Sequence, residues 1–555
     1  MAVRRRRRAL RVLAAPFVAA PPAGARIRTR LRPDRAEAVM LRLVGEFLGG
    51  LYRADLAARV RLGNVSAKDT QRTVRKRELT AVTTSRWAGT ITRTAENQYQ
   101  LGMRALKADV TGLTRAVTVL DARIAAPVGG RAGRVPGYGS HRERAAKQQR
   151  RHILAARLAT AQTRVDVGRP AIVVGGRRLM TTRHHLAAAG LTPDTWRQRW
   201  DAARIFLTAD GETGAPHGNY TISVSPDGTV AIALPARFKH LANAPRGRYV
   251  LAGQVTFTHR ASEWADRVSA DQSVRYDISF DPDPDRGRWY LDASWSAPTQ
   301  AVGLDALAGG RMLGIDLNAD HLAAYVIDGH GNPVGAPITI PLEMTGPASQ
   351  RDGRLRAAIG EVLRQAKAHG CSAIGIENLG FTDAGHTGRE TMGRGARGRR
   401  FRRTVAGIPT AKFRERLTGM AYTTGIAVVA VDPAYTSRWG GQHWHPHLNH
   451  RTPTASRHHA AAVVIARRAH GHKARRRPGV TRTRPEDRDR ETTGQTAPPP
   501  VDVREQSGLA ETARTTPVDK TRQRSTSNRL LPASKTVREA ADTSRDQYGQ
   551  PRPTH

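Results

Sequence analysis

The feature that most constrains this chain is residues 311–333, RMLGIDLNADHLAAYVIDGHGNP. Met312, Leu313 and Ile315 form a short apolar strand that ends in an acid, Asp316. Residues 318–321 then make a polar turn, and 322–327 a second apolar strand. A glycine-rich turn at 328–332 returns the chain into a third strand over 334–340. Turns this short leave no room for a crossover helix, so the three strands must be antiparallel neighbours. Beyond them helices and strands alternate. Residues 354–369 carry Leu355, Ile359, Val362, Leu363 and Ala366 on one helical face and stop at Gly370, where a C-terminal glycine belongs. Residues 372–376 predict a buried strand that delivers Glu377; 409–424 a helix opened by proline, 426–431 a strand and 456–470 a last helix.

Three strands, helix, strand, helix, strand, helix is the order of an α/β RNase H-like domain. Within it GID at 314–316, IGIENLGF at 374–381, VDPAYTSRWG at 431–440 and HHAAAVVI at 458–465 together resemble the RuvC-type motifs of TnpB proteins. These are transposon-encoded, RNA-guided relatives of type V CRISPR effectors. The resemblance is strongest over 313–468, is one of layout before that, and is absent after it. It implies a transposon-associated, RNA-guided DNA endonuclease, with a DNA target and a guide-type RNA as partners.

Composition agrees with polyanion partners. The 555 residues hold 90 Lys and Arg against 47 Asp and Glu, a net charge of +43. A field of that size attracts nucleic acid and repels itself unless neutralised. One cysteine, Cys371, excludes a disulfide framework and a cysteine zinc site, and fits a cytoplasmic location. No apolar run is long enough to span a bilayer, so no membrane partner is expected. Arg4 to Arg8 ahead of an alanine-rich run outlines a signal peptide, but Arg11 interrupts it; residues 1–24 read instead as an RNA-contacting or disordered basic arm, or an overextended start.

Residues 25–167 predict a helical recognition lobe preceded by one strand near Arg26. Its helices cover 35–60, 67–108, 109–124 and 140–165, with 129–139 a hinge-like loop. Arg142, Arg144, Lys147, Arg150 and Arg151 make the last helix a track for a phosphate backbone. Over 168–308 the pattern turns to short strands, including a hairpin of 170–174 with 177–180 over Gly175-Gly176, which suggests an antiparallel barrel. The resemblance implies that this is a wedge-type barrel interrupted by the helical lobe. Residues 309–470 are the RNase H-like domain, with a polar lid at 432–455, and 471–555 a disordered basic tail.

Cutting a phosphodiester in such a domain calls for two divalent ions about 4 Å apart. Magnesium, a hard cation, takes carboxylate oxygens and keeps several waters. Asp316 and Glu377 end strands that are neighbours in an RNase H-like sheet, so they are the candidate catalytic and metal-binding acids. The bland alternatives are a turn cap through Asn318 for Asp316 and an arginine-paired strand end for Glu377. By the resemblance the third ligand lies in the last helix, where TnpB proteins carry an acid and this chain carries His458. Histidine is the softer ligand and suits Mn2+ better than Mg2+; it could also act as a base, or simply line the helix with His459. Asp320 and Asp432 are spare acids.

TnpB proteins hold zinc with cysteine pairs in the segment corresponding to 439–456. Here only His443, His445, His447 and His450 stand there, at no standard spacing, so zinc is not expected. Trp439 and Trp444 are expected to pack or stack in the lid. The Gly/Arg insertion at 381–405 puts Arg399, Arg400, Arg402 and Arg403 at the mouth of the site, with Lys412 beyond it, as further nucleic-acid contacts. A catalytically weakened RNA-guided DNA-binding protein is the second reading, motivated by His458. A DDE-type transposase shares the fold, but its acids would fall elsewhere.

Overall fold

The computed structural model describes residues 12–64, 70–282, 287–297, 302–346, 348–379 and 410–475. The chain divides into two compact units, one built from the N-terminal 22 residues with most of the chain after 299, the other from 23–298.

The first unit holds β1 (Phe17–Val18), β2 (Arg311–Leu317), β3 (His321–Ile327), β4 (Pro333–Pro341), α1 (Ala348–Ala368), β5 (Cys371–Glu377), α2 (Thr410–Tyr422), β6 (Ala427–Val431), α3 (Thr436–Trp439), α4 (His445–Arg451) and α5 (Arg457–Ala469). Its strands form one six-stranded sheet in the order β1-β6-β5-β2-β3-β4. The β2-β3-β4 meander is antiparallel, and β5 and β6 add in parallel beside β2. This is the expected RNase H-like order, enlarged by one strand. The addition comes from the N-terminal arm. Phe17 and Val18 pair antiparallel with Ala430 and Val429, so part of the basic arm is a sheet edge.

Alternation along the strands separates two cores. Leu313, Ile315, Ile374, Ile376, Val428 and Ala430 point to the face covered by α1 and α2, where Leu355, Ile359, Phe413 and Leu417 bury. Met312, Ala373, Val429 and Val431 point to the opposite face, with Val463, Val464 and Ile465 of α5. That helix lies very close to the sheet. A Cβ on Gly314 would meet the Ala462 carbonyl oxygen at 2.0 Å, and one on Gly375 would meet Ala469 Cβ at 3.0 Å. The glycines of GID and IGIE are therefore contact points for α5, whose alanine-rich surface completes the fit.

The second unit opens with a strand, Gly24–Leu31, and helices Arg35–Leu62, Thr70–Val82, Ser85–Ala125 and His141–Asp166. Asp34 caps the first of these with a capping box to Glu37. The segment expected to break before 109 is one continuous helix to Ala125, because Leu113, Ala116 and Leu120 keep packing against Leu154 and Ala161. The expected hairpin over Gly175-Gly176 is not formed. Residues Arg177–Thr182 are helical, and both glycines hold positive φ, so they redirect the chain rather than pair strands. The remaining strands pair as a short two-stranded ladder within the expected 129–139 loop (Arg131–Ala132 with Val135–Pro136) and as two larger open sheets, four-stranded (Gly24–Leu31, Arg288–Ser296, Arg275–Asp281, Leu207–Ala209) and three-stranded (Ile222–Val224, Val230–Ala233, Arg248–Val250). Among the described residues no pairing closes them into a barrel. Both larger sheets share a core around Trp87, Leu207, Ile232 and Trp295. No described helix of either unit is long and apolar enough to cross a membrane.

Candidate active site

The parallel pairing of β2 and β5 runs through Ile315 opposite Ile376, so the next step along each strand places Asp316 beside Glu377. Both fall on the α5 face, since Ile315 and Ile376 occupy the other one. The two acids expected to converge are thus adjacent, 61 positions apart in sequence.

Asp316 is only 5% exposed. Its Oδ2 accepts from Asn318 Nδ2 at 3.1 Å and from His458 Nδ1 at 2.8 Å. The turn-cap role of Asn318 is present, but it coexists with the long-range contact to α5. Ser456 caps α5 in a box with His459 and so fixes the first turn on which His458 stands. The two histidines divide there. His459 is buried, takes Thr339 Oγ1 and the Ile338 carbonyl at its Nε2, and is pushed down by burial. His458 stays half-exposed, and its hydrogen bond to Asp316 holds its pKa above the usual histidine range.

Among the described residues no arginine side chain hydrogen-bonds to Glu377; its Oε1 accepts from the Thr436 hydroxyl at the start of α3. Burial pushes its carboxyl up to about 7, opposed by Thr436 and reinforced by Asp316 and Asp432. Asp432, at the end of β6, accepts from Ala14 N–H at 3.0 Å through Oδ2 and from Ala434 N–H at 2.9 Å through Oδ1. The N-terminal arm therefore engages one of the two spare acids directly. The other, Asp320, is exposed and bonds His321 Nδ1 at 2.7 Å; the His321 ring meets the His458 ring edge-on at 5.3 Å.

Arg468 of α5 closes the far side. It is nine-tenths buried and donates through Nη1 to the Asp432 and Ala434 carbonyls at 2.8 and 2.7 Å. Its guanidinium lies 4.6 Å from the Trp439 ring centroid. Burial lowers it to about 10, against the pull of Asp432 and Glu377. Arg468, Thr436 and His321 were not singled out by sequence. Thr436 lies inside the PAYTS stretch, and His321 is three residues from Asn318; Arg468 carries no local signal at all.

Within the expected lid, residues 436–451 are helical, α3 and α4 joined by a π turn at Gly440–Trp444, and Trp439 and Trp444 are buried packing residues, one of the two roles expected of them. His443 is buried within it. Of the expected nucleic-acid contacts, Arg399, Arg400, Arg402 and Arg403 lie outside the described residues, while Lys412 is exposed on α2. In the second unit Arg142, Arg144, Lys147, Arg150 and Arg151 share the helix His141–Asp166. There Arg151 pairs with Asp121 at 2.8 Å, and Lys147 lies 5.7 Å from the Tyr138 ring centroid.

Among the described residues no group of three or more His, Cys, Asp or Glu is arranged as a ready-made metal cage. The donor set nonetheless fits magnesium or manganese. Magnesium is ordinarily held by one or two carboxylates, with waters and substrate phosphate completing the shell. A divalent cation shared by the two neighbouring carboxylates, which repel each other and one of which is raised to about 7, would stabilise both charges.

The strand order and paired acids define an RNase H-like α/β domain with a carboxylate site on its α5 face. No protein-family model matches the chain, and no curated protein matches it in sequence. Among solved structures, T. thermophilus RuvC in complex with a Holliday junction substrate is 19% identical, covers 29% of this chain and 91% of its own, and gives a TM-score of 0.21. A second Thermus thermophilus RuvC structure gives 19% identity, 29% and 92% coverage and 0.19. A CRISPR-Cas12f ternary complex gives 10% identity, 83% and 100% coverage and 0.19. At such scores the likeness carries no argument, and the fold rests on the pairing of this chain's own strands.

Proposed function

We propose that this protein is a RuvC-type, divalent-metal-dependent DNA endonuclease of TnpB-like kind, guided by RNA and acting in transposition or DNA recombination in the cytoplasm. The observation that carries the reading is the placement of Asp316 and Glu377 side by side on one face, with Glu377 held near pH 7. The TnpB likeness, the guide RNA and the transposon association rest on the four motifs and the +43 charge.

A divalent cation bound by Asp316 and Glu377 would supply charge stabilisation at a scissile phosphate and an activated water. The chain's own groups prepare that site. Asn318 fixes the Asp316 carboxylate, Thr436 orients Glu377, and Arg468 pins the 432–434 turn that leads into α3, where Thr436 stands. His458 holds a proton at Nδ1 against Asp316 and, when neutral, offers a nitrogen donor beside the acids. The alternative is a binding protein weakened in catalysis. It is favoured by one observation, that the third position is a histidine already hydrogen-bonded to Asp316, which adds no negative charge for magnesium.

The test is DNA cleavage by the full chain with its copurified RNA, in magnesium and then in manganese, for wild type and Asp316→Ala. Cutting that Asp316→Ala abolishes supports the enzyme; tight DNA binding without cutting in either ion supports the alternative. Sequencing the copurified RNA tests guidance.

A further inference from the structure

The second unit contains a cleft of about 540 Å³ that none of the chemistry above uses. The helix Arg35–Leu62 lines it through Leu56 and Val60, the segment after Pro170 through Val173 and Met180, and Trp200 adds an aromatic ring beside Arg204. Two guanidiniums line it, Arg53 and Arg204, and no acid does. Arg53 Nη1 donates to the Arg204 backbone carbonyl at 3.3 Å, and the Arg53 and Arg204 cations are near enough to interact electrostatically. The Arg204 guanidinium lies 4.8 Å from the Trp200 ring centroid, and Trp200 stacks at 5.6 Å on Trp196. Arg204 Nε is buried with no hydrogen-bond partner among the described residues.

Two neighbouring cations beside an apolar slot form an anion-seeking arrangement. Arg53 is lowered by burial and by the neighbouring Arg204 cation, with Asp201 the acid that offsets this. A ligand that satisfies the whole cleft needs a flat apolar body and an adjoining anion. A nucleotide has both. An apolar peptide side chain would fill the slot but leave the guanidiniums uncompensated.

We propose that this cleft receives one unstacked nucleotide of a single strand, its base between Val60 and Val173 beside Trp200 and its phosphate on Arg53 and Arg204. The inference rests on the nucleic-acid-binding part of the function proposed above and not on cleavage.

The experiment measures binding of a fluorescein-labelled 15-nucleotide DNA strand, and of the same strand with abasic residues throughout, by anisotropy in EDTA across a salt series. EDTA removes cleavage, so a failure of the nuclease reading leaves the result unaffected. Wild type is expected to bind the base-bearing strand about tenfold more tightly than the abasic one. Val173→Trp, which fills the slot, should lose that preference while keeping its salt slope. Arg53→Gln should weaken both strands and lower the slope by about one phosphate contact. Circular-dichroism melts confirm that both variants fold; Val173→Leu, a smaller filling change, serves if Val173→Trp does not. A wild type without base preference, or a folded filled variant that keeps it, overturns the proposal.

Discussion

His458 Nδ1 and Asp316 Oδ2 lie 2.8 Å apart, joining the first turn of α5 to the end of β2 across 142 residues of sequence. This contact, together with the glycine-mediated approach of α5 to the sheet, brings the last helix to the carboxylate pair. On the proposed nuclease reading, this contact would set the metal preference of the site.

Replacing His458 with an acid restores the hard oxygen donor that magnesium prefers. His458→Asp is expected to raise magnesium-supported cleavage relative to manganese, and His458→Ala to lower both. Initial rates in the two ions check this. Equal magnesium-to-manganese ratios in wild type and His458→Asp would contradict it.

Glu377 gives a pH signature whose sign is set by proton binding. Its folded value of about 7 exceeds the ordinary 4.5, so between these two values the folded state binds more protons than the unfolded. Stability contributed by this group therefore falls as pH rises through that window, by up to about 3 kcal/mol, and is level above it. His458, raised by Asp316, acts in the same direction: its contribution is complete below the ordinary 6.5 and is lost as pH passes its folded value. Urea titrations of metal-free protein at pH 5 and pH 8 should show a larger loss for wild type than for Glu377→Gln. Parallel behaviour of the two would refute the assignment.

The Thr436 hydroxyl lowers the Glu377 value by its hydrogen bond. Thr436→Val should push Glu377 higher and move the acid limb of the cleavage rate toward higher pH, because the ionised carboxylate is the form that binds a cation. An acid limb at the wild-type position in a folded Thr436→Val protein counts against this orientation of Glu377.

Gly314 has a carbonyl oxygen of α5 only 2.0 Å from where a Cβ would stand. Gly314→Ala must displace the helix or the strand. It is expected to cost about 2–3 kcal/mol in a urea melt, and cleavage should fall along with stability because the His458–Asp316 contact is carried by the same helix. A cost below 0.5 kcal/mol, roughly the scale of a surface substitution, would show that α5 does not pack as described.

Much of the RNase H-like unit was legible because its elements are periodic and short-range. The apolar alternation before Asp316, the stop at Gly370 and the run ahead of Glu377 each report local geometry. Adjacency of Asp316 and Glu377 followed from the element order read as an RNase H-like sheet, in which their strands are neighbours. What sequence could not give depends on contacts between distant residues. The pairing of Phe17–Val18 with β6 has no pattern of its own in two residues, and the Ala14 bond to Asp432 spans 418 positions. Arg468 reads as an ordinary basic residue near a helix end, yet its burial and two carbonyl partners make it a support for the site. In the second unit the short apolar runs look alike as strands or turns, so Gly175-Gly176 suggested a hairpin where the chain makes a helix.

The central claim is that Asp316 and Glu377 share a divalent cation, and manganese binding to the full chain, followed by electron paramagnetic resonance at pH 8, tests it most directly. Wild type should take up manganese, and Asp316→Asn and Glu377→Gln should each weaken that uptake at least about tenfold, which by the free-energy relation is about 1.4 kcal/mol. Unchanged manganese affinity in both folded variants would contradict it.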